Sequence, residues 1–177
     1  MFLRVIIFLI LPLTACNEQS GQGGTPQDSS DKYLSTFVDV FMDYCFGYDG
    51  SEDVFDKPEQ PQWRPDEDYP DVLVADINGL NIGVSTYDKR TCVVDAKAMK
   101  SGNVLFTEKE LVNKLVEKSG LQLTDTGVTT LMNIEDEENQ AKSYTLSSDS
   151  ASNKTITVTY PSNRLDDFYV SIDFSIH

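Results

Sequence analysis

Histidine is almost missing from this chain: its 177 residues include one, His177, and it is the last. A terminal residue is expected to fray, so Ser-His-Asp and Cys-His arrangements lack a general base in the body. Zinc enzymes built on imidazole ligands are disfavoured for the same reason. Glycine is sparse, at 10 residues, and no glycine-rich phosphate loop appears; Gly21, Gly23 and Gly24 stand in a polar Ser/Gln stretch. Basic residues are few: 14 Lys and Arg face 29 Asp and Glu, for a net charge of −15. Such a surface is repelled by phosphate backbones and anionic headgroups, so nucleic acid is a poor partner, and a basic protein or cations are better ones. No apolar run reaches the roughly 20 residues that a permanent membrane-spanning helix needs. No cofactor is implied, and the chain reads as a non-enzyme.

What the chain does have begins at its start. Met1-Phe2-Leu3-Arg4 is a short basic segment, and Val5 to Pro12 is apolar. This suits the hydrophobic region of a signal peptide. Leu13-Thr14-Ala15-Cys16 follows and resembles the lipobox of bacterial lipoproteins. The resemblance implies cleavage before Cys16 once its thiol carries a diacylglycerol, with residues 1–15 removed. It places the remainder in the cell envelope, lipid-anchored and facing the periplasm. Each buried CH2 contributes about 0.8 kcal/mol, so one chain anchors marginally and several, palmitate among them, hold firmly. Asn17 stands where Asp is the usual inner-membrane retention signal, which favours the outer membrane. Loss of the leader removes Arg4 and no acid, so the mature chain is still more negative.

Residues 16–30 read as a lipidated Cys and a flexible tether without large apolar side chains. Its span is about 20 Å. Residues 31–177 are then one domain of about 145 residues, long enough to fold without metal or partner.

Within that body, Tyr33, Leu34, Phe37, Val38, Phe41, Met42 and Cys45 fall at helical spacing, so a helix is expected from Lys32 to Tyr44, capped by Ser29, Ser30 or Asp31. Residues 48–71 hold four prolines and about nine carboxylates, and read as an acidic surface loop. Strand patterns follow over 71–77, 80–87 and 91–95, with Asn78-Gly79 as a hairpin turn and Asp88-Lys89-Arg90 as a second turn. A second helix is expected from Glu108 to Ser119, opened by a Thr107/Glu110 capping box and closed by Gly120. Four more strands are expected over 128–134, 142–147, 154–160 and 168–176, with a polar turn at Asp136 to Asn139. The expected fold is α+β: two helices packed on one face of a bent, largely antiparallel sheet of about seven strands.

With Cys16 committed to lipid, Cys45 and Cys92 remain, and an even pair in an oxidising compartment argues for a disulfide. Elsewhere the chemistry is thin. Trp63 is the lone Trp; it folds back on the core or, beside Arg64, anchors an interface. Trp63, Arg64, Asp66, Glu67 and Asp68 are therefore the candidate partner-binding residues. The body is loosely similar to small uncharacterised proteobacterial envelope proteins, on its Phe-x-x-x-Cys helix and Thr-Cys-Val-Val strand, and this similarity implies no activity.

The leading expectation is a membrane-tethered, non-enzymatic binding protein, either an envelope-complex component or an immunity or inhibitor protein against a basic partner. One alternative is an extracytoplasmic hydrolase using two carboxylates, which composition cannot pick out of 29 acids. Another is a calcium-stabilised structural lipoprotein, with Asp49-Gly50-Ser51-Glu52-Asp53 and Asp66-Glu67-Asp68 as oxygen donors; the twelve-residue calcium-loop pattern is absent.

Overall fold

Apolar side chains recur every third or fourth residue from Leu34 to Cys45, and there the chain is helical. The computed structural model describes residues 26–51, 63–97, 99–100, 103–134, 137–148, 153–161 and 169–177. The leader, Cys16 and the first part of the expected tether lie outside the described residues, as do residues 52–62 of the acidic loop.

Helix α1 (Pro26–Tyr44) starts six residues before the expected start at Lys32, so residues 26–30 belong to the helix and not to the expected tether. Proline is tolerated in a first turn, where its missing N–H has no acceptor to lose. Ser30 is therefore no cap: its hydroxyl donates to the Leu105 carbonyl, at 2.6 Å. Leu34, Phe37, Val38, Phe41 and Cys45 are buried as expected, and Val40 and Thr36 join them.

Helix α2 (Glu108–Ser119) has the expected bounds. The Glu110 N–H donates to the Thr107 hydroxyl and the Thr107 N–H to the Glu110 carboxylate, which closes the capping box. Gly120 takes the left-handed C-cap position. Leu111, Val112 and Leu115 are buried beneath the helix. Lys118 pairs with Asp39 at 3.0 Å, tying α2 to α1 across their exposed side.

The strands are β1 (Arg64–Pro65), β2 (Leu73–Ile77), β3 (Leu80–Tyr87), β4 (Thr91–Lys97), β5 (Met99–Lys100), β6 (Asn103–Val104), β7 (Gln122–Leu123), β8 (Val128–Ile134), β9 (Glu137–Ser147), β10 (Lys154–Pro161) and β11 (Tyr169–Ile176). Nine of them form one sheet, in the order β1-β2-β3-β4-β11-β10-β9-β7 with β8 also on β9, and β5 pairs β6 separately. Every pairing is antiparallel. The α+β expectation thus holds in outline, while the strand count exceeds seven. The additions are two-residue strands, too short to carry an alternation that a sequence reading could detect. One of them, β1, lies in the segment expected to be loop. β9 also starts five residues early, so Glu137 and Glu138 are paired with β8 rather than sitting in a turn. The backbone ladder needs only main-chain groups, and it continues past the end of the apolar alternation.

At Asn78-Gly79 both residues have positive φ, 56° and 85°, as a two-residue hairpin turn requires. Asp88 and Lys89 adopt the same conformation, at 53° and 54°, without a glycine.

One core lies between the helices and one face of the sheet. Ile82, Val84, Cys92, Val94, Ala96, Leu146, Ile156, Val158, Val170, Ile172 and Phe174 point into it from the strands. Phe37 stacks on Phe106, with ring centroids 5.7 Å apart, and Phe46 meets Phe174 edge-on. Cys45 and Cys92 are disulfide-bonded, with Cα atoms 5.2 Å apart across a separation of 47 residues. The bond clamps the end of α1 to the middle of the sheet. Among the described residues no helix is long and apolar enough to cross a membrane.

Candidate functional site

Two places in the fold gather polar side chains: the acidic turn beside β1, and the sheet face turned away from the helices.

β1 pairs Arg64 with Val74 and Pro65 with Leu73, as a two-residue edge strand. Trp63, just before it, faces inward. Its ring packs edge-on against Tyr44 of α1, centroids 5.1 Å apart, and joins the partly buried border of the core. Of the two roles open to Trp63, this geometry is that of a residue folded back on the core. Burial raises the Tyr44 phenol above its ordinary range, the neighbouring Trp63 indole acts against this, and Asp43 adds to the rise.

Arg64 is exposed. The chain then turns. The Asp66 carboxylate accepts from the backbone N–H groups of Asp68 and Tyr69, at 2.9 and 3.0 Å, while the Asp66 N–H donates to the Val72 carbonyl. A short carboxylate holding two N–H groups of its own turn is a common way to order a polar loop. The consequence is a shaped edge: Glu67, Asp68, Tyr69, Pro70 and Asp71 all face solvent, Tyr69 at 64% exposure. Asp66 thus organises the turn, while Glu67 and Asp68 are displayed on it.

The open face follows from strand alternation. If Cys92, Val94 and Ala96 face the core, then Thr91, Val93, Asp95 and Lys97 face away. On β11 the outward set is Tyr169, Ser171, Asp173 and Ser175; on β10 it is Thr155, Thr157 and Thr159. Register lays Gly83, Asp95, Ser171, Thr159 and Ser143 in one row across five strands. Asp173 lies in the next row, opposite Val93 and Thr157. The face is thus a field of hydroxyls with two carboxylates near its middle.

Those carboxylates are unusual. Burial lifts Asp95 to about 6, and the charge of Asp66 adds to the rise. Burial also lifts Asp173 to about 6; a hydrogen bond with Ser171 acts against this, and the charge of Asp95 adds to it. One oxygen of Asp173, Oδ1, is buried without a hydrogen-bond partner. Each group can therefore take up or release a proton near neutrality.

His177, expected to fray, is held. Its N–H donates to the Asn153 carbonyl at 2.7 Å, and its Nε2 lies 2.8 Å from the Thr155 hydroxyl. The C-terminus is thereby the last rung of the sheet. In the calcium alternative, Asp49 is engaged locally, accepting from the Ser51 N–H, and Glu52 and Asp53 lie outside the described residues. Among the described residues no three His, Cys, Asp or Glu side chains are grouped to hold a metal.

Sequence reasoning singled out the acidic turn but not Asp95 or Asp173. The only trace was a single acid at an outward position in each of two alternating strands, β4 and β11. No known protein family matches this chain, nor does any curated protein or solved structure.

Proposed function

We propose that the protein is a lipid-anchored envelope protein, tethered through Cys16 and facing the periplasm, with the outer membrane as its favoured site. In this reading it works without catalysis, as a binding protein for a basic protein partner. It is either a component of an envelope complex or an immunity or inhibitor protein against a secreted effector.

The observation that carries this reading is the ordered acidic turn. Asp66 spends its carboxylate on the backbone, and Glu67, Asp68 and Asp71 are left facing water around the exposed ring of Tyr69. A preformed edge loses less entropy on binding than a loose one. An exposed aromatic with exposed acids on the same turn offers one apolar anchor and a field that steers cationic surfaces. The net charge of −15 extends that field over the whole molecule. The lipobox residues and the Cys45–Cys92 disulfide support an oxidising, extracytoplasmic address.

The test is a pull-down from detergent-solubilised envelopes at increasing salt. The expected result is a basic partner whose capture weakens as salt rises, and is lost with the Glu67→Lys, Asp68→Lys, Asp71→Lys triple variant. Failure to recover any salt-sensitive partner, or equal capture by that variant, overturns the reading. Mass spectrometry of the native protein checks the anchor separately: an unmodified Cys16 thiol removes it.

A further inference from the structure

The sheet has two halves. Strands β1 to β4 come from residues 64–97, and β7 to β11 from residues 122–176. Among the described residues the β4–β11 ladder is the only strand pairing that joins them. It runs from Tyr169↔Lys97 to Ser175↔Thr91. Such a seam between strands distant in sequence closes a long loop and depends on its side chains for support.

Its two faces differ. Toward the core, Cys92, Val94 and Ala96 meet Val170, Ile172 and Phe174, all buried and indifferent to pH. On the open face, Lys97 pairs with Tyr169, Asp95 with Ser171, Val93 with Asp173 and Thr91 with Ser175. The two carboxylates are thus diagonal neighbours across the seam itself, at roughly the 7–8 Å typical of such positions.

We propose that the β4–β11 seam is a proton-operated latch, in which Asp95 and Asp173 tighten the join between the two half-sheets when protonated and loosen it when both are ionised.

Among the described residues, the charged and titratable groups around the pair do not neutralise it. On β4, Lys97 reaches over the Tyr169 ring, 5.8 Å from its centroid. β3 presents Gly83, Ser85 and Tyr87, and the Tyr87 oxygen accepts from Ser85. Beyond it lie Val74 and Asp76 on β2, Arg64 on β1, and Asp66, which adds negative charge. β11 adds Tyr169 and the hydroxyls of Ser171 and Ser175. β10 presents only threonines, and His177 is turned to Thr155 at the far end. Among the described residues neither carboxylate has an ion-pair partner.

Two like charges in a half-desolvated setting repel more strongly than in water. Protonation removes the repulsion. It also makes the buried, unpartnered Oδ1 of Asp173 part of a neutral group, which costs less to keep out of water than a charged one. The step is proton uptake alone, with no other reactant.

The test uses the full chain, unfolded in urea between pH 8 and 5. The unfolding constant is expected to fall roughly tenfold from pH 7.5 to 5.5. Asp173→Asn should lose about half of that dependence, and Asp95→Asn with Asp173→Asn nearly all of it. A flat or opposite profile in the natural chain overturns the latch. So does a double variant that keeps the full dependence. Carboxyl 13C titration of the natural chain decides the matter if the variants do not fold. Two Asp carboxyls must titrate near neutrality; if every Asp titrates below pH 5, the latch is refuted.

Discussion

The Asp95 carboxylate fills the space that a side chain on Gly83 would need: a Cβ built there would stand 2.7 Å from Oδ1 and 3.0 Å from Oδ2. The two residues are paired across β3 and β4. Glycine in a strand is ordinarily a weakness, because it packs nothing and loses more entropy on folding. Here it makes room for an acid.

Gly83→Ala should therefore destabilise the fold by about 1 kcal/mol, since overpacking outweighs the entropy gained. In an Asp95→Ala background the same change should stabilise instead. A double-mutant cycle by urea unfolding reads this reversal of sign directly.

The pH profile of stability should be peaked. Asp95 and Asp173 have folded values raised from 3.8 to about 6, so their stabilising effect is full below 3.8 and is lost as pH rises through 6. Glu110 acts the other way. The Thr107 backbone N–H and hydroxyl lower it below its ordinary 4.5, so its contribution is present above 4.5 and lost as pH falls further. Thermal melts from pH 8 to 3 should show a maximum between about pH 4 and 5.

Reducing the Cys45–Cys92 bond should cost roughly 4 kcal/mol, from loop closure across 47 residues. Both sulfurs are fully buried at the junction of α1 and the sheet, so the loss should also loosen Phe41 and Phe46 nearby. Urea unfolding with and without reductant, compared with a Cys45→Ala, Cys92→Ala variant, measures it.

Lys89→Gly should stabilise the second hairpin by about 1 kcal/mol, because Lys89 holds φ at 54° where a Cβ is penalised. An unchanged or lower unfolding midpoint for this variant would show that the strain is relieved elsewhere.

Local pattern explains what a reader of the sequence could see. The α2 capping box spans four residues, Thr107 to Glu110, and its glycine stop directly follows Ser119. Asn78-Gly79 announces its hairpin by needing positive φ twice. Cys45 and Cys92 were left as the last even pair, and each sits on an apolar stripe. The start of α1 was missed because residues 26–30 carry no apolar period. β1 and β7 were missed because two residues have no pattern at all.

The open-face acids show the remaining difference. Alternation along β4 and β11 already turns Asp95 and Asp173 outward, since every second side chain in a strand points the same way. Nothing along the chain says that these strands are neighbours, because 71 or more residues separate each paired position. Helices, hairpins and the side on which each residue falls are properties of short stretches, and the amino-acid order determines them. Which strands meet, in which register, and hence which two acids share a seam, was decided only when the core closed.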